Sequence, residues 1–472
     1  MKNIIQLLFV ALVLFYTHSL FALDPKISEI TQKQLPIIAE PEINITTLSN
    51  GVKLYYLQDN ELPIIKIKSF FETGLVYESK DQRGLTSFFM SAWQSGGAKG
   101  LSPEKVDEEL EFISASLMGT EAADLASMTL ICLQKDLKTA LDIYFNVLKN
   151  PDFEQSRIDV IKKNILDGIQ RRNEEPLSIL NREFLQALFG KDSVYAWMST
   201  PETINVVKRE TLFKFYADNI APNRMLIAAS APLSFDAFVK LIEGYLSDWR
   251  KTLPPKNYPP EIQKKWEKSV GFIHKQGNQS SIALGHFGER RFNKDKYKLI
   301  LADEILGGST FGSKLGDKLR TDLGLVYSIM SSFGFERDYG SFRMVTQTKS
   351  ESTFTAIDAI KKIIDDMVKN KNITEAELFM AKERILNRLV FEYETPFNIV
   401  TRRVIYDYHG YPPNYISLYQ KEISQVKLAD IKEILDKYFF PDQLKVMIVG
   451  DRDKIPGLKE YEGLVETPLD EE

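Results

Sequence analysis

The 472-residue chain is expected to fold as α+β, in two homologous domains that each set a mainly antiparallel sheet against helices. Three observations lead there. Pro176-Leu177 and Pro396-Phe397 each follow a long helical pattern, at an offset of about 220 residues. At nearly the same offset, residues 216–223 lead into the apolar run 225–229 as residues 438–442 lead into 444–449. That spacing is far longer than the period of a solenoid and points to a duplicated domain. Finally, strand patterns come in runs separated by paired helices, with no regular βαβ alternation.

The first half is read as strand 65–73, helices 84–94 and 103–117, strand 127–133 and helices 137–148 and 153–172. Over 84–94, Leu85, Phe88, Phe89, Ala92 and Trp93 recur on one helical face, and Gly96-Gly97 supplies the stop. Ser102 followed by Pro103 is an N-cap with proline at the first helical position. The second half is read as strand 281–288, helices 297–306 and 311–320, strands 325–333 and 341–348, and helices 354–368 and 375–393. Phe311, Leu315 and Leu319 form the packing stripe of helix 311–320, and Thr374 with Glu377 makes a capping box. Four prolines within residues 252–260 make a stiff extended linker, placed at 251–265. The expected domains are then 23–250 and 266–465, followed by a short acidic tail, 466–472.

Composition is that of an ordinary globular protein, 44% hydrophobic and 26% charged. A net charge of −5 gives no whole-chain attraction to nucleic acid or anionic membrane, and no nucleic-acid partner is expected. Lys2, the apolar run 4–16 and Ala22 read as a secretory signal, residues 1–22, cut after Ala22. The alternative is an uncleaved anchor, although the run is short for a full span. Cys132, the only cysteine, lies in the apolar run 128–133 and reads as a buried small hydrophobe. An exported chain without disulfides fits a bacterial periplasm, where the Asn-x-Ser/Thr triplets at Asn44, Asn278 and Asn372 are chance.

Opposite its apolar face, helix 84–94 carries Ser87, Met90, Ser91 and Gln94. The segment from Gly84 to Gly97 resembles the zinc helix of the pitrilysin/insulinase-type metallopeptidases, the inverzincins, written Gly-Leu-x-His-x-x-Glu-His. In that family the two His bind zinc and the Glu acts as base toward the zinc-bound water. The resemblance puts the first His at Ser87, the Glu at Met90 and the second His at Ser91. It puts the third ligand, a Glu on a later helix, at Gly168. Asp167 is next door, but one helical step turns it about 100° away. Serine hydroxyls and a thioether are poor zinc ligands, so no metal site is expected in this chain. His286 and Glu289 stand three apart on a strand pattern with no second His, and His274 and His409 read as surface or satisfied core residues.

A second match lies in the other half. Gly307-Gly308, Leu319-Arg320 and Gly324-Leu325-Val326-Tyr327 follow the family's order for an Arg and a Tyr seven residues apart. The resemblance, covering roughly residues 43–450, implies that Arg320 and Tyr327 bind substrate. A guanidinium can donate to a peptide carbonyl, and a phenol can donate to the same group or to a developing oxyanion. From the two residues alone, the favoured reading is that Arg320 serves a helix C-terminus and Tyr327 is half-buried core; the resemblance reverses it in favour of substrate contact.

The resemblance implies one half of a clamshell: a non-catalytic, peptide-binding subunit that partners a zinc-bearing homologue with an intact His-x-x-Glu-His. The zinc is expected on the partner and none on this chain. The alternative is a catalytically silent scaffold or peptide-binding protein of the cell envelope, in which Arg320 and Tyr327 are relics. An independent hydrolase using Ser87 or Ser91 has no His or acid nearby in sequence and no nucleophile elbow to support it.

Overall fold

The computed structural model describes residues 41–259, 261–264 and 267–469. The signal assigned to residues 1–22 and the acidic end at 470–472 lie outside the described residues. Residues 40–472 group as one compact unit.

Each half holds a six-stranded sheet. The first is built from β1 (Asn44–Thr47), β2 (Lys53–Gln58), β3 (Ile64–Phe71), β4 (Ser116–Glu121), β5 (Ala126–Leu133) and β6 (Met225–Ala231). Its order is β1-β2-β6-β3-β5-β4, antiparallel except for the β2/β6 pair. The second contains β7 (Ser269–His274), β8 (Gln279–Phe287), β9 (Val326–Phe333), β10 (Ser341–Lys349), β11 (Lys445–Gly450) and β12 (Leu464–Glu466). Its order is β9-β10-β8-β11-β7-β12, with β7 parallel to both β11 and β12. Stripped of β1 and β12, both sheets run in one order, so the duplication read from the proline pairs is present in the topology.

Helices cover these sheets. The first half has α1 (Leu85–Ser95), α2 (Pro103–Phe112), α3 (Leu137–Lys149), α4 (Gln155–Arg171), α5 (Pro176–Phe189), α6 (Arg209–Asn219) and α7 (Phe235–Leu246). The second has α8 (Lys296–Leu306), α9 (Thr353–Lys369), α10 (Glu375–Glu392), α11 (Pro396–Tyr408), α12 (Tyr415–Gln425) and α13 (Leu428–Tyr438). The Ser102 cap and the Thr374–Glu377 capping box form as expected. In each half the largest apolar cluster lies between one sheet face and its own helices.

The other sheet face is covered by the opposite half. Ile179, Leu180, Phe184 and Leu188 of α5 bury themselves on Ile273, Ala283, Phe287, Met447 and Val449 of the second sheet. Reciprocally, Val400 and Val404 of α11 pack on Tyr55, Phe70 and Ala228 of the first. The helices that open at Pro176 and Pro396 are therefore exchanged between the halves.

Two expected helices are corrected. The helix read over 103–117 stops at Phe112, because the Ala115 amide reaches back to the Leu110 carbonyl at 2.8 Å and Ser114 turns left-handed at φ 51°. Leu117 belongs to β4 instead. The helix read over 311–320 does not start at Phe311: Gly312 is left-handed at φ 70°, and Ser313 and Asp317 tie the loop through Ser309 and Gly312. Beyond this loop the chain forms a single π-helical segment, Gly316–Asp322. Leu315 and Leu319 are buried as expected, but Phe311 is largely exposed. The π-helical segment occupies the place of α2 in the repeat, and left-handed Gly324 before β9 matches left-handed Ser114 before β4.

Among the described residues, the proline-rich stretch carries no regular structure and is strapped to the first half. Asn223 exchanges two hydrogen bonds with Leu253, and Lys251 donates to the Ile220 carbonyl at 2.9 Å. Lys256 donates to Thr73 Oγ1 at 2.9 Å, and burial brings its pKa down to about 7.

Candidate functional site

Helix α1 is held at its start by Glu78, whose carboxylate accepts from the Gly84 and Thr86 amides at 2.9 and 2.7 Å. Its apolar face is fully buried, and Trp93 donates to the Val147 carbonyl at 2.9 Å. On the opposite face Ser87 is half-buried and Ser91 exposed. Met90 is 1% exposed, and its Cε would lie 3.3 Å from a Cβ placed at Gly119 of β4. Beside it Gln94 behaves as an extra strand residue, donating to the Leu117 carbonyl at 3.0 Å and accepting from the Gly119 amide at 2.9 Å. The thioether thus serves as packing against the edge strand.

Gly168 lies on α4, which packs against α1, so the fold still juxtaposes the helices that carry all four positions. A Cβ at Gly168 would meet nothing within 4 Å. Hydroxyls, a thioether and a glycine do not fit zinc, and no step of zinc chemistry can be derived on this helix pair. Among the described residues no group of three or more His, Cys, Asp or Glu is placed to hold a metal ion.

The remaining reactive residues have structural partners. His286 sits in β8 with Nδ1 2.7 Å from the Phe287 carbonyl, and burial lowers its pKa to about 3. Glu289 pairs with Lys264 at 3.1 Å rather than with His286. His409 pairs with Asp124 at 3.2 Å, and His274 accepts from the Arg452 amide. Cys132 is buried, which pushes its thiol up to about 11.

Arg320 and Tyr327 are brought together. Arg320 lies inside the π-helical segment, with its guanidinium 4.1 Å from the Phe311 ring centre and 5.7 Å from that of Tyr327. Among the described residues no carboxylate pairs with it. The Leu325 amide closes on the Leu319 carbonyl at 2.8 Å across Gly324, whose φ is 59°. The pairing of β9 with β10 then slips between Val326 and Ile329, a bulge that holds Tyr327 and turns it outward, 86% exposed. Tyr327 is therefore no core residue.

Sequence reasoning missed the residue that fixes this edge strand. Asp303, at the end of α8, accepts from Ser331 Oγ at 2.6 Å and from the Phe333 amide at 3.2 Å. Burial pushes its pKa up to about 7. The only sequence signal is a pair of adjacent carboxylates, Asp303 and Glu304, within the apolar stretch 299–306.

This geometry agrees with the comparisons to known proteins. Residues 57–202 match the family "Insulinase (Peptidase family M16)" and residues 207–385 match "Peptidase M16 inactive domain". The chain belongs to the M16 peptidase family. A "Non-peptidase homolog YmxG" of Helicobacter pylori is 25% identical over 413 residues, covering 85% of this M16 chain and 93% of that protein. An "Uncharacterized zinc protease YmxG" of Bacillus subtilis is 22% identical over 358 residues, 75% of this chain and 86% of that one. In fold, the chain resembles the crystal structure of a peptidase M16 inactive domain from Pseudomonas fluorescens at a TM-score of 0.77 and 21% identity. That match covers 87% of this chain and 98% of the other. As an M16 member it has the family's architecture, with Ser87, Met90, Ser91 and Gly168 at the positions that the resemblance assigns to the zinc ligands and base.

Proposed function

We propose that this chain is the substrate-binding, non-catalytic subunit of a two-chain M16 peptidase acting on unfolded peptides or small proteins. It supplies Arg320 and Tyr327 to a zinc site on a homologous partner that retains His-x-x-Glu-His. The pair works in the periplasm, reached through the signal at residues 1–22. One observation carries this reading: a half-buried Arg320 beside an exposed Tyr327 is built by a π-helical segment, a left-handed glycine and a bulge, on a chain whose four positions matching the family's zinc motif are Ser87, Met90, Ser91 and Gly168. An arginine with no carboxylate partner keeps its donors available for a peptide carbonyl. Strands β4 and β9 lie at the edges of their sheets, where an extended peptide can add beyond the groups that Gln94 and Asp303 take.

The test is to assay the purified chain on an unfolded peptide with and without an M16 partner bearing His-x-x-Glu-His. The chain alone is expected to be inactive and the pair active. Arg320→Ala should lower kcat/KM of the pair roughly 10- to 100-fold, the worth of a charged hydrogen bond. Zinc-dependent cleavage by this chain alone would sink the proposal. An unchanged rate in both Arg320→Ala and Tyr327→Phe pairs would favour the scaffold reading, which the stacking of Arg320 on Phe311 also permits.

A further inference from the structure

The second half holds a cavity of about 240 Å³ where α8, α10, α11 and α12 meet, lined by neither Arg320 nor Tyr327. Its walls are phenol rings. Tyr411 and Tyr415 stand 4.2 Å apart at 34°, and Tyr406 meets Tyr415 edge-on at 4.8 Å and 70°. Ile385 and Leu389 of α10 complete an apolar side.

One cation in this lining has no ion pair of its own, since the carboxylate that acts on it, Glu336, is paired with Arg291 at 3.7 Å. Lys296 donates to Tyr411 Oη at 2.9 Å and to Tyr415 Oη at 3.2 Å, and among the described residues it forms no ion pair. Its neighbour Lys298 has Asp295 at 2.9 Å. The acid of the cavity wall is already matched, Glu392 with Arg402 at 2.8 Å, and Arg388 of the wall lies on Glu304 at 3.3 Å. Burial brings the Lys296 pKa down to about 8 and pushes Tyr411 up to about 12, so the phenols stay neutral and do not cancel the ammonium. A desolvated cation without an ion pair of its own is costly, and an entering anion lowers that cost. Ring-lined walls favour an anion with a flat apolar body over a bare inorganic one.

We propose that this cavity binds a small aromatic carboxylate, with its ring against Tyr406, Tyr411 and Tyr415 and its carboxylate on the Lys296 ammonium. Its lining includes neither Arg320 nor Tyr327. Titration calorimetry of the full chain with benzoate, benzylamine and inorganic phosphate tests the idea. Benzoate should bind saturably in the millimolar range or tighter, while benzylamine and phosphate should not. Lys296→Met should weaken benzoate about tenfold or more, the loss of one charge-assisted hydrogen bond. Unchanged melting temperature shows that the variant is folded; if it is not, Lys296→Gln takes its place. Benzylamine or phosphate binding as well as benzoate, benzoate binding that ignores Lys296, or no saturable benzoate binding overturns the proposal. Because the readout is binding to this chain alone, each of those results leaves the peptidase-subunit reading untouched.

Discussion

Replacing Phe184 by alanine should destabilise both halves of the molecule at once. Phe184 is on α5 of the first half, is 1% exposed, and its ring would lie 3.0 Å from a Cβ built at Gly285 of the second sheet. Removing such a ring costs about 3–5 kcal/mol. The whole contact sets the stakes. Ile179, Leu180, Phe184 and Leu188 are all buried against the second sheet, and each such side chain is worth about 1.5–3 kcal/mol. Their combined worth is comparable to the roughly 5–15 kcal/mol typical of an entire domain's stability. Neither half can therefore unfold while the other keeps its covered face. For one cooperative unit of this size, about 1 °C is lost per kcal/mol, so a single transition should fall by roughly 3–6 °C. Three of the four tryptophans, Trp93, Trp197 and Trp249, lie in the first half, so fluorescence on a Trp266→Phe background follows that half. Hydrogen exchange at Ile282 and Ala283 of β8 follows the second. Both should move together. Two resolved transitions in the unmodified chain, or exchange at β8 that rises while the fluorescence midpoint stays put, would refute the reasoning.

Met90→Glu, which restores the family's base at its own position, should destabilise by about 2–4 kcal/mol by burying a carboxylate against Gly119, and should confer no peptidase activity; a melt and a peptide assay check both. Asp303 predicts a pH dependence. In the unfolded chain this group ionises near pH 4, whereas in the fold it holds its proton to about pH 7, so its contribution to stability falls as pH rises from about 4 to about 7. Asp303→Asn should flatten that part of the stability–pH curve in urea titrations, by up to about 1 kcal/mol per pH unit. Gly324→Ala has open space for its Cβ but a φ of 59°, so it should cost about 1–2 kcal/mol through strain alone and lower the partner-dependent rate by misplacing Tyr327.

Much of the fold was legible in the sequence, and the exceptions share a cause. Helix α1 could be read to within a residue because Leu85, Phe88, Phe89, Ala92 and Trp93 face one core and Gly96 ends the helix. The proline pairs announced the duplication, but not that α5 and α11 cross to the opposite sheets, since an apolar helical face does not say which sheet it will meet. β2 escaped because its centre, Leu54-Tyr55-Tyr56, is buried on both faces and shows no alternation. The exposure of Tyr327 was not legible: a bulge is a matter of register between β9 and β10, and Tyr327 alone carries no sign of it. Phe311 was misread because its spacing to Leu315 fits a helix, while Gly312 between them breaks it.

The exchange of α5 and α11 also bears on how such a chain arises. A single ancestral half would present a bare sheet face and a helix suited to cover the same face on a second copy, so two copies would close on each other before any fusion. After fusion each copy of the repeat is free to drift alone. That freedom is visible in the second half, where a π-helical segment presenting Arg320 stands where the first half keeps the ordinary helix α2. A nick between residues 251 and 259 would for the same reason leave two pieces that stay clasped, each wearing the other's helix.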